Sequence, residues 1–307
     1  MRSPAPGPSA RSRDAAAAAC SALLAGFSLD ITSNELGELV PARAVIPAGT
    51  PVQLAFPDSA DLAERVSTAR AIKAAGFAPV PIIAARRLRS QTMLREYLAT
   101  LRAAGASESV LVVGGDPARP QGPYPDAATV IGSGLLEEHG VRQASVAGHP
   151  GGHPAVADSV LWAALAAKTA ALRRRGLAGE VITQFGFDAA QVLAWLAEAR
   201  ARGIGLKMRV SVPGPATVRR LLAIASRCGV AVTAPVADDY GFSLTEPAAS
   251  AGPDRFIQAL ASGYDPRLHG EVRLHFNAFG GFTATAEWIS RFRGHQVAAD
   301  DARTAPS

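Results

Sequence analysis

From Phe27 onward, short apolar runs alternate with longer stretches of helical periodicity, and the alternation repeats about eight times. The apolar runs are Phe27–Ile31, Val52–Phe56, Pro79–Ile83, Val110–Val113, Gln143–Ala147, Val181–Gln184, Leu206–Val212 and Val272–Phe276. Helical stretches fit between them at Asp61–Ala75, Ser90–Ala104, Ala127–Glu138, Ala155–Arg175, Ala189–Arg202 and Pro215–Arg227. Glycines stand at several helix exits, among them Gly76, Gly105, Gly140, Gly176 and Gly203, as helix C-caps do. Runs such as Val110–Val113 are apolar without a break, which suits strands buried on both faces of a parallel sheet. The pattern predicts an α/β chain folded as one (β/α)8 TIM-type barrel.

A doubly wound sheet is the alternative, but no glycine fingerprint follows the first strand. Gly203-Ile-Gly205 precedes a strand, and Gly132-Ser-Gly134 lacks its third glycine. The strand count has one loose end: Ala231–Val236 offers a further strand, and 229–270 is longer than one crossover needs. The expected boundaries are a barrel over 15–292, a disordered tail at 1–14 that is rich in Pro, Ser, Gly and Arg, and a disordered tail at 293–307 that shows no apolar periodicity.

A hydrophobic share of 48% supports a large core, while charged residues make up 19%. The net charge is +5, and only Lys73, Lys168 and Lys207 are lysines, so the basic residues are nearly all arginine. They are scattered rather than striped, and aromatics are 6%, which argues against nucleic acid as a partner. Cys20 and Cys228 match no zinc or redox spacing, which fits a reducing cytoplasm. Arg2, Arg11 and Arg13 before Ala15–Leu24 resemble a signal peptide, but that run is mostly alanine and leads straight into a strand. No apolar run reaches membrane-spanning length. These features predict a cytoplasmic protein with small-molecule partners and leave a homo-oligomer open.

In a barrel the residues just past each strand face one another across one mouth. Here that set is polar and glycine-rich. Asp30 and Thr32 end the first run, Gly114-Gly115-Asp116 the fourth, and His149-Pro-Gly-Gly-His153 the fifth. Thr183 and Gln184 end the sixth, Pro213-Gly214 follows the seventh and Asn277 the eighth, with Lys168 on the helix after His153. Each has a structural alternative. Asp30 precedes a capping-box pattern, Thr32 to Glu35; Asp116 sits in ordinary Gly-Asp-Pro turn chemistry; the histidines lie in a Pro/Gly loop without thiolate or HExxH context for a metal.

The order of these motifs makes the chain similar to the methylenetetrahydrofolate reductase family, as a divergent bacterial member. Ser28-Leu-Asp30 comes first, then Gly115-Asp116 and Ala147-Gly-His149-Pro-Gly-Gly-His153-Pro. Lys168, Thr183-Gln184-Phe185-Gly-Phe187-Asp188, Pro213-Gly214 and His275-Phe276 follow. The resemblance implies hydride transfer from NADH or NADPH, through FAD, to 5,10-methylenetetrahydrofolate, giving 5-methyltetrahydrofolate. It implies that Asp30 is the general acid, in place of the usual glutamate, and that Asp116 stabilises the developing cation. Gln184 and Thr183 then contact the folate, and Gly115, Asp116, His149, His153 and Lys168 lie against the flavin. The departures fall in the flavin shell: Ile82 replaces a histidine, Gly114 an arginine, Ala55 a threonine and His149 a tyrosine. A flavin-free reductase, a metal-dependent lyase or hydrolase using both histidines with Asp116, and a non-catalytic folate-binding barrel are the alternatives.

Overall fold

Pro81 decides how the sheet is counted. It has no N–H to give, so the third strand is broken into Ala78–Val80 and Ile82–Ala84. The first piece pairs with the strand before it, Gln53 opposite Val80, and the second with the strand after it, Ile82 opposite Leu111. The Leu111 N–H donates to the Pro81 carbonyl at 2.9 Å, carrying the hydrogen bonding across the break. The nine parallel segments therefore close into a ring. Its strands are β1 (Ser28–Ile31), β2 (Pro51–Leu54), the broken β3, and β4 (Ser109–Val113). Then come β5 (Gln143–Gly148), β6 (Ala178–Thr183), β7 (Lys207–Pro213) and β8 (Val272–Asn277). The fold is a (β/α)8 barrel in one domain. This computed structural model describes residues 10–55 and 62–304; the expected strand end Phe56 and helix start Asp61 lie outside them.

Along each strand, alternate side chains serve two cores. Leu29, Ile31, Val52 and Leu54 pack outward with helix residues such as Leu23 and Ile72. Facing inward, Val80, Ile82, Leu111 and Ile182 form a separate small apolar cluster. The rest of the lumen is polar: Ser28, Ser145, Glu180, Arg209, Ser211 and His275 are all buried. Toward the N-terminal ends of β6 and β7, Arg209 grips Glu180 through Nε at 3.0 Å and Nη2 at 2.9 Å. Arg209 Nη1 donates to the carbonyls of Gly26 and Leu274, and the Ser145 hydroxyl donates to Glu180 at 3.3 Å. This network plugs the floor of the barrel.

Several boundaries differ from expectation for local reasons. The helix expected over Ala127–Glu138 is two, Ala127–Gly132 and Leu135–Glu138, because Gly134 between them adopts φ 83°. The helix after β5 starts at Asp158 rather than Ala155 and ends at Gly176 with φ 66°. Ala231–Val236 is not a strand; a helix begins at Ala234 with proline in its first turn. Both tails carry more helix than expected. The first helix spans Ala10–Leu24 and the last Phe282–Thr304, so the helices run past the expected limits at 15 and 292. Propagating a helix through good formers such as alanine and arginine needs no apolar stripe. Residues 1–9 and 305–307 of the expected tails lie outside the described residues.

The long connection between β7 and β8 holds an extra layer. A two-stranded ribbon, Ala216–Thr217 against Ser250–Ala251, brackets the helices Val218–Arg227 and Ala234–Tyr240. Tyr240 donates its hydroxyl to the Pro213 carbonyl at 2.9 Å, and its ring packs edge-on against Phe187 and Phe242. The excursion thus covers the C-terminal ends of β6 and β7. Helix Asp254–Gly263 then returns the chain to β8.

Candidate functional site

Asp30 stands near the end of the short β1 with its side chain turned into the lumen, 8% exposed. Two donors from the end of β8 hold it. The Ala278 N–H reaches Oδ1 at 2.6 Å and Asn277 Nδ2 reaches Oδ2 at 2.9 Å. Burial nevertheless outweighs both hydrogen bonds and, with a smaller push from Glu35, lifts the carboxyl from 3.8 to about 6. A carboxyl poised there holds a proton in part of the population near neutrality. Thr32 and Glu35 form the expected capping box, with the Thr32 N–H donating to Glu35 Oε2 at 2.9 Å, so the helix start does not use Asp30.

One further group beside Asp30 escaped the sequence analysis. Gln53 stands directly opposite Asp30 on β2, and its Oε1 is buried without a partner among the described residues. Asn277 Oδ1 is in the same condition. Below them, His275 shares a 2.8 Å hydrogen bond with Ser28, and burial lowers its pKa to about 3. Buried polar atoms without partners are rare in native proteins and concentrate at working sites. Register was the missing signal: only the pairing of β2 with β1 places Gln53 at the level of Asp30.

Asn277 is expected to set the pH range of Asp30. Its hydrogen bond is the strongest of those that favour the ionised carboxylate. Asn277→Ala should therefore raise the Asp30 pKa above about 6, by roughly one to two units for a charge-assisted hydrogen bond. A general acid works while protonated, so the alkaline limb of the pH–rate profile should move up by the same amount. An unmoved limb would show that Asn277 does not govern Asp30.

The other candidates share this end of the barrel in three separate places. Asp116 follows β4 after Gly115, whose φ of 88° lets the backbone pass close to Ala84. Its side chain is 82% exposed and pairs with Arg87 at 2.9 Å. The expected fixed carboxylate is instead solvated on the rim, and no hydrogen bond among the described residues ties it to Asp30. His149 and His153 meet edge-on with ring centroids 5.9 Å apart. Burial, then Lys168 and His153, push His149 down to about 4, so it is neutral. His153 is exposed and its Nδ1 accepts the Ala155 N–H. Lys168 is buried, donates to the Ala147 carbonyl at 2.6 Å, and is lowered to about 8 by desolvation. Burial raises the pKa of the Cys228 thiol, which comes from the excursion after β7, and Gln184 and Asp116 both act on that thiol. Thr183 departs from expectation: its oxygen accepts the Ser211 N–H at 2.9 Å and the side chain is buried in the barrel wall.

These groups do not make a flavin cradle. Lys168, expected against the flavin, is committed to a backbone carbonyl, and Ile82 and Leu111 are part of an apolar cluster in the lumen. The cavity next to His149, floored by the stacked rings of Trp162 and Trp195, measures about 60 Å³. Sites for drug-sized molecules run from roughly 300 to 1,000 Å³. Among the described residues, no group of three or more His, Cys, Asp or Glu could hold a metal ion. No described helix is long and apolar enough to cross a membrane.

No protein-family model matches the chain. Among solved structures it resembles an uncharacterized protein from Clostridium thermocellum described as binding two copies of 5-methyl-5,6,7,8-tetrahydrofolic acid. The TM-score is 0.57 at 9% identity, over 91% of this chain and 98% of that one. Weaker likenesses are deoxyribose phosphate aldolase from Aeropyrum pernix (TM-score 0.46, 13% identity, 94% of this chain and 100% of that one) and dihydropteroate synthase from Thermus thermophilus (0.45, 17% identity, 87% and 92%). At these identities the first likeness speaks for the barrel fold.

Proposed function

We propose that this chain is a flavin-independent relative of methylenetetrahydrofolate reductase. Hydride passes directly from NADH or NADPH to the one-carbon unit of 5,10-methylenetetrahydrofolate. The observation that carries the reading is Asp30, a buried carboxyl at the barrel mouth raised to about 6. Opening the methylene bridge puts a proton on the departing nitrogen and leaves an electrophilic iminium. Asp30 supplies that proton as general acid. Hydride from the dihydronicotinamide then adds to the iminium carbon, giving 5-methyltetrahydrofolate and the oxidised nicotinamide. Solvent returns the proton to Asp30. Gln184, at the end of β6, orients the folate, and the excursion over β6 and β7 shields the reacting groups from water. Binding of a methylated reduced folate by the Clostridium thermocellum barrel supports the substrate class.

The test is turnover by purified protein that shows no visible flavin absorption. Nicotinamide oxidation should depend on 5,10-methylenetetrahydrofolate and yield 5-methyltetrahydrofolate by chromatography. Turnover that begins only after FAD is added would sink direct transfer. The Clostridium likeness favours one second reading, a barrel that binds reduced folate without reducing it. Tight folate binding with no nicotinamide oxidation would establish it.

A further inference from the structure

A ladder of aromatic rings ends at the barrel mouth, in a chain where aromatics are only 6%. Its outer rung is Phe279, just past β8, whose ring centroid lies 5.0 Å from that of Phe185 at an interplanar angle of 82°. Phe185 meets Phe187 at 6.1 Å, and Phe187 meets Tyr240 at 5.0 Å. Tyr240 then meets Phe242 at 5.7 Å and Phe256 at 6.0 Å. Phe185, Phe187, Tyr240, Phe242 and Phe256 are all buried, whereas Phe279 is only half-buried. Edge-on packing holds each ring against the next, so the outer ring is braced from the excursion after β7.

The backbone pins the same residue. The Asn277 carbonyl accepts the N–H groups of Phe279 at 2.7 Å and of Gly214 at 2.8 Å. A Cβ on Gly280 would collide with the Pro215 carbonyl oxygen, so the chain passes tightly there just beyond Phe279. Phe279 follows Ala278, whose N–H holds Asp30, and its ring partner Phe185 follows Gln184. The ring therefore links the surroundings of both groups. Beside it, Asn277 Oδ1 is buried without a partner among the described residues, which gives the apolar face a polar edge that needs a donor. In the proposed reaction, the nitrogen that takes the proton of Asp30 is bonded to the p-aminobenzoyl ring of the folate. That ring must then settle close to Asp30. We propose that Phe279 is the stacking platform for the aromatic ring bonded to the nitrogen that Asp30 protonates. The proposal rests on the reductase reading for its ligand, while its test needs no hydride transfer.

The experiment is calorimetric titration of the whole protein with three probes: 5-methyltetrahydrofolate, 6-methyltetrahydropterin, which lacks the p-aminobenzoyl ring, and NADH. Phe279→Leu keeps an apolar side chain against Phe185 but removes the π-face. It should weaken 5-methyltetrahydrofolate about tenfold, the loss expected of one stacked ring. Phe279→Tyr restores the face and should recover most of that affinity. The pterin probe should bind parent and Phe279→Leu alike, a selectivity that general loosening of the mouth would not produce. Phe279→Met repeats the comparison if the leucine variant folds poorly. Unaltered folate affinity in Phe279→Leu and Phe279→Met overturns the platform, as does an equal loss for the pterin or a larger loss for NADH. A parent protein that binds no 5-methyltetrahydrofolate at millimolar concentration overturns both the platform and the folate reading. Ring-dependent folate binding without any hydride transfer would remove the reductase reading and leave the platform standing.

Discussion

Asp30→Asn should lose folate reduction by about 10²–10⁴-fold, the usual contribution of a general acid, while the folded protein gains stability at neutral pH. The two effects have one cause. Burial raises the carboxyl from 3.8 to about 6, so above pH 6 the folded state holds a desolvated charge that the unfolded chain does not. The sign follows: this group's contribution to stability is fully present below pH 3.8 and is lost as pH rises through about 6. Asparagine carries no charge, so the variant should be more stable above pH 6 by up to about 3 kcal/mol, with the difference vanishing near pH 4. The site can accept the amide. The Ala278 N–H still finds an oxygen, and Asn277 can turn over to offer its unpartnered Oδ1 to the new amino group. Denaturant unfolding at pH 7.5 and pH 4, beside steady-state kinetics, checks both halves. A variant that reduces folate at the parent rate would make Asp30 a structural residue and send the search for the acid elsewhere.

The largest stability effect is expected at the barrel floor. Glu180→Ala strips the buried Arg209 guanidinium of its two carboxylate contacts, leaving it the carbonyls of Gly26 and Leu274. Removing one partner of a buried pair typically costs about 3–5 kcal/mol, because the other charge remains desolvated. The reciprocal Arg209→Met leaves Glu180, among the described residues, with the Ser145 hydroxyl at 3.3 Å, and a similar loss should follow. Glu180→Leu combined with Arg209→Met should recover most of it, since apolar replacement of a whole buried pair is often neutral. Urea unfolding midpoints of the four proteins measure this directly. Single variants that cost under about 1 kcal/mol would mean that water already reaches the pair.

His275 opposes Asp30 in the acid range. Its folded pKa is lowered to about 3, so its contribution to stability is present above pH 6.5 and is lost as pH falls toward 3. Between pH 3.8 and 6 the two groups pull in opposite directions, one level apart in the same lumen.

Much of the architecture was legible in the chain. Runs such as Val110–Val113 are apolar enough to be buried on both faces wherever they fall, and the glycine exits close helices through a backbone angle that belongs to the residue itself. These are local properties, and eight repeats of them leave few ways to bury so many strands except a ring. Local patterning also placed Asp30, Asp116, His149, His153 and Gln184 at strand ends, hence at one mouth. What each group does there was decided by its surroundings. Asp30 and Asp116 are the same residue type at equivalent strand ends, yet one is desolvated against Asn277 and Ala278 while the other is solvated against Arg87. Lys168, expected against a flavin, is buried and donates to the Ala147 carbonyl. Gln53 carried no motif and lies beside Asp30 only because β2 pairs with β1 in that register. The lumen pair of Glu180 and Arg209 comes from neighbouring strands, 29 positions apart in sequence. The chain by itself determined the barrel, because strand burial and helix capping are written in each residue's immediate neighbours. The tertiary structure decided the charge state and partner of every candidate residue, because desolvation and cross-strand distance arise only when remote segments meet.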